Sequence, residues 1–223
     1  MATVCILGAG ELGGSIAHAL ARGEHVRRVL LIDEGGTVAA GTALDIQQAG
    51  AVEGFHTRVE GTNDLTRVTG CAVAVIADSG GPTSPAKAGH YESSREWRGE
   101  IGLSMMARLK GFLGEAPIVF AGAHQSDLLL AAHREAGFDR RALVGSAPEA
   151  LAAAARAIVA LEANCSPSEV ALSVLGVPPS GFVVPWSEAT VAGYTLQRVL
   201  TQDRKSTRLN SSHSAKSRMP SSA

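Results

Sequence analysis

Short apolar runs alternate with amphipathic stretches along residues 1–145. Thr3-Val4-Cys5-Ile6-Leu7, Val29-Leu30-Leu31-Ile32, Ala72-Val73-Ala74-Val75-Ile76 and Pro117-Ile118-Val119-Phe120-Ala121 are too short for core helices. They are continuous enough for strands buried on both faces. Thr57-Arg58-Val59-Glu60-Gly61 alternates instead, which predicts a strand nearer the sheet edge. Helical spacing fills the gaps from Ser15 to Leu20 and from Thr37 to Gln48, the latter ended by Gly50. It returns from Ser93 to Leu113, with Ile101, Leu103, Met105, Met106, Leu109 and Phe112 as the inner face. Ser126 is placed to cap a further helix through Leu128, Leu129, Leu130 and Ala132, and Gly137 to stop it. Asp64 to Val68 is at most a helical turn. Alternation of this kind specifies an α/β fold, a doubly wound parallel sheet with helices on both faces.

From Gly145 the rhythm changes. Ser146 is placed to cap an alanine-rich helix from Pro148 to Ala163. Val170 to Gly176 reads as a strand, Val177-Pro178-Pro179-Ser180-Gly181 as a turn, Phe182-Val183-Val184 as a return and Trp186 to Leu200 as another helix. The expected organisation is a first, Rossmann-like α/β domain over 1–145 and the opening of a second, α+β domain over 146–202. Residues 203–223 shift to Ser, Lys and Arg, leaving no apolar stripe to extend the helix. Asp203 to His213 and Ser217 to Ala223 resemble a translated sequencing adapter, so this tail is expected to be non-native.

The chemistry concentrates in Gly8-Ala9-Gly10-Glu11-Leu12-Gly13, between the first strand and the first helix. In this G-x-G-x-x-G arrangement Gly8 turns the chain, Gly10 lets backbone approach a pyrophosphate, and Gly13 lets helix and strand pack closely. The helix N-terminus offers free N–H donors to phosphate. Asp33 ends the second strand about twenty residues later, where a ribose-binding carboxylate is expected. A carboxylate repels a 2′-phosphate, and Glu34-Gly35-Gly36-Thr37 contains no cation to bind one, so NAD is expected over NADP. Asp78-Ser79-Gly80-Gly81-Pro82 follows the third buried run at what should be a carboxyl strand end, which adds Ser79 and Gly80 to the cofactor-binding set. The long Gly-, Pro- and Ser-rich segment from Ser79 to about Glu92 reads as a lid or a disordered loop.

The chain has 223 residues, 45% apolar and 18% charged, enough for a proper core and against general disorder. A formal charge of -1 gives no basic field for nucleic acid. No apolar stretch approaches a membrane span and no cleavable signal is apparent, so a cytoplasmic protein is expected. Cys5, Cys71 and Cys165 are scattered, suggesting neither a disulfide framework nor a metal site; Cys5 and Cys71 read as buried thiols.

Together, Val4 to Gly13, Leu31-Ile32-Asp33, Ala43-Leu44-Asp45-Ile46, Gly61-Thr62-Asn63-Asp64, Val73 to Pro82, Ser166-Pro167-Ser168-Glu169-Val170 and Val174-Leu175-Gly176 resemble the lactate and malate dehydrogenase family, and most closely its lactate-dehydrogenase-like malate dehydrogenases. The resemblance runs over residues 1 to 200 in order. It implies NAD-dependent interconversion of a 2-hydroxy acid and a 2-oxo acid, a small-molecule substrate, and a homo-oligomer for the full-length protein. It also implies a longer chain, with the second domain cut short here.

The family's chemistry needs a histidine for the proton on the substrate oxygen, a carboxylate to orient that histidine, and arginines to hold the substrate carboxylate. Where the family has its histidine-glycine-aspartate turn, this chain has Val177-Pro178-Pro179-Ser180-Gly181. The orienting aspartate falls on Leu151 and the substrate arginine on Ala154, with Arg156 on a different side of the helix. In the lid, Pro82 is followed by Thr83 instead of arginine, and Lys87 and Arg95 are the nearest cations. His124, after the fifth strand, is the best placed base, ahead of His90 and Tyr91. Arg95 is the candidate for a ligand carboxylate when the lid closes. Three readings stay open: an oxidoreductase with relocated catalytic groups, a dinucleotide-binding module that lost proton transfer, and a broken gene product.

Overall fold

The computed structural model describes residues 2–77, 99–121, 126–178 and 181–200. Two compact units divide the chain, Met1–Ala147 and Pro148–Ala223.

The first unit is a six-stranded sheet. Its strands are β1 (Thr3–Leu7), β2 (Arg28–Ile32), β3 (Arg58–Thr62), β4 (Val73–Ile76), β5 (Ile118–Phe120) and β6 (Leu143–Gly145). They lie in the order β3-β2-β1-β4-β5-β6, every pair parallel. Successive side chains of a strand point to opposite faces, and the core divides accordingly. Val4, Ile6, Val29, Leu31 and Val75 pack with Ala17 and Ala21 of α1 (Glu11–Arg22) and Ala39, Ala43 and Ile46 of α2 (Gly36–Glu53). Cys5, Leu7, Leu30, Ile76 and Phe120 pack with Met106, Leu109 and Leu113 of α3 (Gly99–Leu113) and Leu128 and Ala132 of α4 (Ser126–Arg134). The expected doubly wound α/β sheet is what the chain forms.

Several boundaries differ from the sequence reading. α2 runs on through Gly50 to Glu53 and ends at Gly54, which takes the left-handed conformation (φ 82°) and returns its N–H to the Gly50 carbonyl. Gly50 sits on the inner side of that helix, where an added Cβ would meet the Phe55 ring at 3.0 Å. Phe112 faces outward and Leu113 inward in α3, one position on from the expected stripe. β6 carries no apolar run of its own and is recognised only by its pairing with β5. The part of the expected Ser93–Leu113 helix before Gly99 lies outside the described residues.

Gly61-Thr62-Asn63-Asp64 acts as a structural joint. A Cβ on Gly61 would run into the Ala39 carbonyl, so only glycine lets α2 lie this close to β3. Asn63 fills the space beside Gly36, and Asp64 caps the 3-10 turn Leu65–Val68 by accepting from the Thr66 amide and hydroxyl. On the edge strand β3, Glu60 accepts from Arg28 (2.8 Å) and Arg67 (2.8 Å) and is ion-paired with Arg58 (2.7 Å). Burial works to raise its pKa, but these three guanidiniums outweigh it and the carboxyl sits below its ordinary value of 4.5. A depressed folded pKa stabilises the protein above the unfolded value and loses that stabilisation as the pH falls through the folded one. Glu60→Gln is therefore expected to cost about 1 kcal/mol at pH 7, as for a partly exposed ion-pair network. In denaturant titrations the deficit should shrink as the pH drops below 4.5.

In the second unit, α5 (Ala147–Glu162) packs Ala152, Val159 and Ala160 against Val170, Leu172, Val174, Val191 and Leu196. The amide and the hydroxyl of Ser146 both donate to the Phe120 carbonyl, at 3.0 Å each. The expected strand Val170–Gly176 is two, β7 (Val170–Ala171) and β8 (Leu175–Val177), the latter paired with β9 (Gly181–Val183). The expected helix from Trp186 to Leu200 is also overturned. β10 (Thr190–Val191) and β11 (Tyr194–Thr195) form a hairpin beside β7, and helix is present only over 196–200. Ala192 and Gly193 both have positive φ (48° and 81°), the two-residue loop that matches the twist of antiparallel strands. Residues 201–223, which include the tail, lie outside the described residues.

Candidate dinucleotide site

The strand order reverses between β1 and β4, and in sheets of this type ligands bind beyond the carboxyl ends of strands at such a point. The glycine turn begins there. Gly8 leaves β1 with φ 101°, a backbone conformation that disfavours a side chain, while its amide still donates to the Ile32 carbonyl at 2.8 Å. Gly10 is the N-terminal flanking residue of α1, and the first intrahelical bond runs from the Gly14 amide to the Gly10 carbonyl at 2.8 Å. The amides of Glu11, Leu12 and Gly13 thus have no partner within their own helix. Gly13 is buried, and a Cβ there would collide with the Gly8 carbonyl and reach Ala77 Cβ at 3.5 Å. The helix can start this close to the strand ends only because residue 13 has no side chain.

Asp33 closes the arrangement. It is 7% exposed at the end of β2, and its carboxylate accepts from the Ala9 amide at 2.9 Å and from the Gly35 amide at 2.8 Å. The Ala9 amide is therefore engaged by Asp33, while Ala9 itself is buried. The bond to Gly35 is an Asx turn, readable from the sequence as an aspartate two residues before a glycine. Thr42 of α2 adds a hydroxyl bond to the Ala9 carbonyl at 3.3 Å, and nothing in the sequence signals it. Two acceptor bonds leave an ionised carboxylate with further lone-pair sites. Free amides at a helix start, glycines where backbone must come close, and a carboxylate with spare acceptors form a donor set that suits a dinucleotide.

A cleft of about 420 Å³ opens beside the turn on the α1–α2 side, from Gly10 and Glu11 to His18, Thr42 and Asp45. Two carboxylates border it, so it is the wrong place for a diphosphate. Among the described residues no cluster of His, Cys, Asp and Glu could hold a metal ion. Nor is any described helix long and apolar enough to cross a membrane.

Of the remaining candidates, Ser79, Gly80, Arg95 and His124 lie outside the described residues, as do Pro82, Lys87, His90 and Tyr91. In the second unit Leu151 packs against the apolar core. Ala154 is exposed. Arg156 is committed elsewhere: Nη2 donates to Glu149 at 2.9 Å, and Nε and Nη2 reach the Leu172 carbonyl at 3.4 and 3.3 Å.

Sheet order and glycine turn define an α/β protein of the Rossmann type. Its sequence homologues are malate dehydrogenases. That of Myxococcus xanthus is 32% identical over 207 residues, covering 89% of this chain and 63% of the relative. That of Roseiflexus sp. (strain RS-1) is 26% identical over 201 residues, covering 90% and 64%. Solved structures with the same fold include malate dehydrogenase from Salinibacter ruber, with TM-score 0.75 and 22% identity over 92% of this chain and 64% of that one. Another is lactate dehydrogenase from Cryptosporidium parvum complexed with lactic acid and nicotinamide adenine dinucleotide, with TM-score 0.73, 22% identity and coverage of 91% and 62%. No family model matches the chain. The chain spans about 64% of the length of the malate dehydrogenase from Roseiflexus sp. (strain RS-1).

Proposed function

We propose that this chain binds NAD at the carboxyl ends of β1 and β2 and serves oxidoreduction between a 2-hydroxy acid and a 2-oxo acid. The observation that carries the reading is the buried Asp33 carboxylate, held against the Ala9 amide beside a helix start with free N–H groups. In it the amides of Gly10 to Gly13 receive the diphosphate and Asp33 grips the adenosine ribose. When bound, the nicotinamide supplies hydride transfer. This chain's own residues bind and orient it; His124 is the candidate for the proton on the substrate oxygen and Arg95 for the substrate carboxylate. The relatives named malate dehydrogenase support the substrate class. A small-molecule acid is then the partner, homo-oligomerisation belongs to the full-length protein, and the cytoplasm is the proposed compartment.

A second reading, binding without turnover, is favoured by one specific observation. Arg156 is already bonded to Glu149 and Leu172, and in a gapless count against the resembled family Leu151 and Ala154 take the places of the orienting carboxylate and the substrate arginine. Incubation with NADH and a panel of 2-oxo acids separates the two. Consumption of NADH that is lost in His124→Ala supports the oxidoreductase, whereas saturable NADH binding without consumption supports the module.

A further inference from the structure

The β6 border of the sheet carries a cavity of about 260 Å³, lined by Leu129, Leu130 and His133 of α4 and by Arg140 and Leu143. It lies within the first unit, and β6 stands three strands away from β1 and its glycine turn. Leu129 and Leu143 are half-buried and rest against the core, and Leu129 Cδ1 would stand 3.3 Å from a Cβ added to Gly145. Leu130, 44% exposed, and the exposed Arg140 reach solvent. His133 Nδ1 lies 3.0 Å from the Phe138 carbonyl, which can only accept, so this nitrogen carries the proton and the ring is held in place as one wall. The Arg140 guanidinium has no anionic partner among the described residues. The carboxylate beside it in sequence, Asp139, accepts instead from the Arg141 amide at 2.9 Å.

We propose that this cavity binds an amphipathic carboxylate of medium chain length, its hydrocarbon tail against Leu129, Leu130 and Leu143 and its carboxylate on the Arg140 guanidinium. Each part of the ligand answers a different observation. Leucines that rest on the core keep the cavity formed when it is empty, and a hydrocarbon tail gains by removing their exposed surface from water. A guanidinium presents a planar fork of N–H donors, which a carboxylate meets with two parallel bonds. With no protein carboxylate on Arg140, the ligand has no internal ion pair to displace. The same charge repels a cationic amphiphile, and a neutral one forgoes the charged bond. The volume falls below the range of about 300–1,000 Å³ typical of sites for drug-sized ligands, so an acid such as octanoate is accommodated where a long fatty chain would project into water.

Calorimetric titration of the whole chain with octanoate, octanol and octylammonium tests the proposal. Octanoate should bind saturably at a single site, octanol roughly tenfold or more weakly, and octylammonium not at all. Arg140→Gln should weaken octanoate roughly tenfold or more and leave octanol unchanged, whereas Leu130→Glu, which sets a carboxylate among the leucines, should abolish both. Lack of saturable octanoate binding would overturn the proposal, as would binding that neither substitution diminishes or octanol bound as tightly as octanoate. Should Leu130→Glu fail to fold, Arg140→Gln, which alters an exposed side chain, decides alone. Repeating the titration with NADH present should give the same affinity; displacement by NADH would put octanoate in the dinucleotide site and contradict the assignment. A chain that ignores NADH leaves the expected octanoate result unaltered, so this proposal and the dinucleotide reading fail separately.

Discussion

Gly13→Ala is expected to cost about 3 kcal/mol of stability and to weaken NADH binding by an order of magnitude or more. The added methyl group enters the Gly8 carbonyl, a backbone atom that cannot rotate aside, with Ala77 Cβ behind it at 3.5 Å. Relief by moving Gly8 is blocked on two sides. Its φ of 101° already lies where few conformations are open, and its amide is tied to the Ile32 carbonyl. The remaining adjustment lifts α1 off the strand ends, which displaces the same amides the diphosphate would meet. Chemical denaturation and NADH fluorescence on one preparation read both effects. Gly14→Ala is the control: its Cβ would meet only the Thr42 methyl at 3.1 Å, a side chain able to yield.

The second large effect belongs to Asp33. Asp33→Ala removes the acceptor of two amides at once, Ala9 and Gly35, and the first of these is buried. An orphaned buried donor costs about 1–3 kcal/mol, more where the lost partner is charged, so a loss of about 2–4 kcal/mol is expected. Thermal unfolding measures it. Asp33→Asn keeps one oxygen acceptor and should lose roughly half as much. Both variants should bind NADH at least tenfold more weakly, because the ribose would lose its carboxylate as the glycine turn loses its tether.

The sheet and the glycine turn were legible because their signals are local. Five apolar or alternating runs announced β1 to β5, and three glycines with an aspartate announced a turn whose geometry needs them. β6 was not legible: Leu143-Val144-Gly145 is too short to form a pattern and exists through pairing with Phe120 and its neighbours. The length of α2 was misread for a related reason. Gly50 resembles a helix stop, but the side chain missing there makes room for Phe55, and Gly54 supplies the left-handed turn instead. In the second unit, helical spacing over Trp186–Leu200 concealed a hairpin fixed by the backbone of Ala192 and Gly193, and Ala192 gives no composition signal for positive φ. Within the site, Asp33 was readable as a carboxylate at a strand end. That it also closes the turn through Ala9, with Thr42 behind it, depends on contacts between residues far apart in sequence.

Relocated catalytic groups and a silent binding module differ in their chemistry but share one premise, a nicotinamide dinucleotide seated against α1 with its ribose on Asp33. Calorimetric titration of the chain with NADH and, in parallel, with NADPH tests that premise most directly. The account predicts saturable binding of NADH and at least tenfold weaker binding of NADPH, whose additional phosphate would face the Asp33 carboxylate with no cation among Glu34, Gly35, Gly36 and Thr37 to receive it. A cooperatively folded chain that takes up neither dinucleotide, or prefers NADPH, would contradict it.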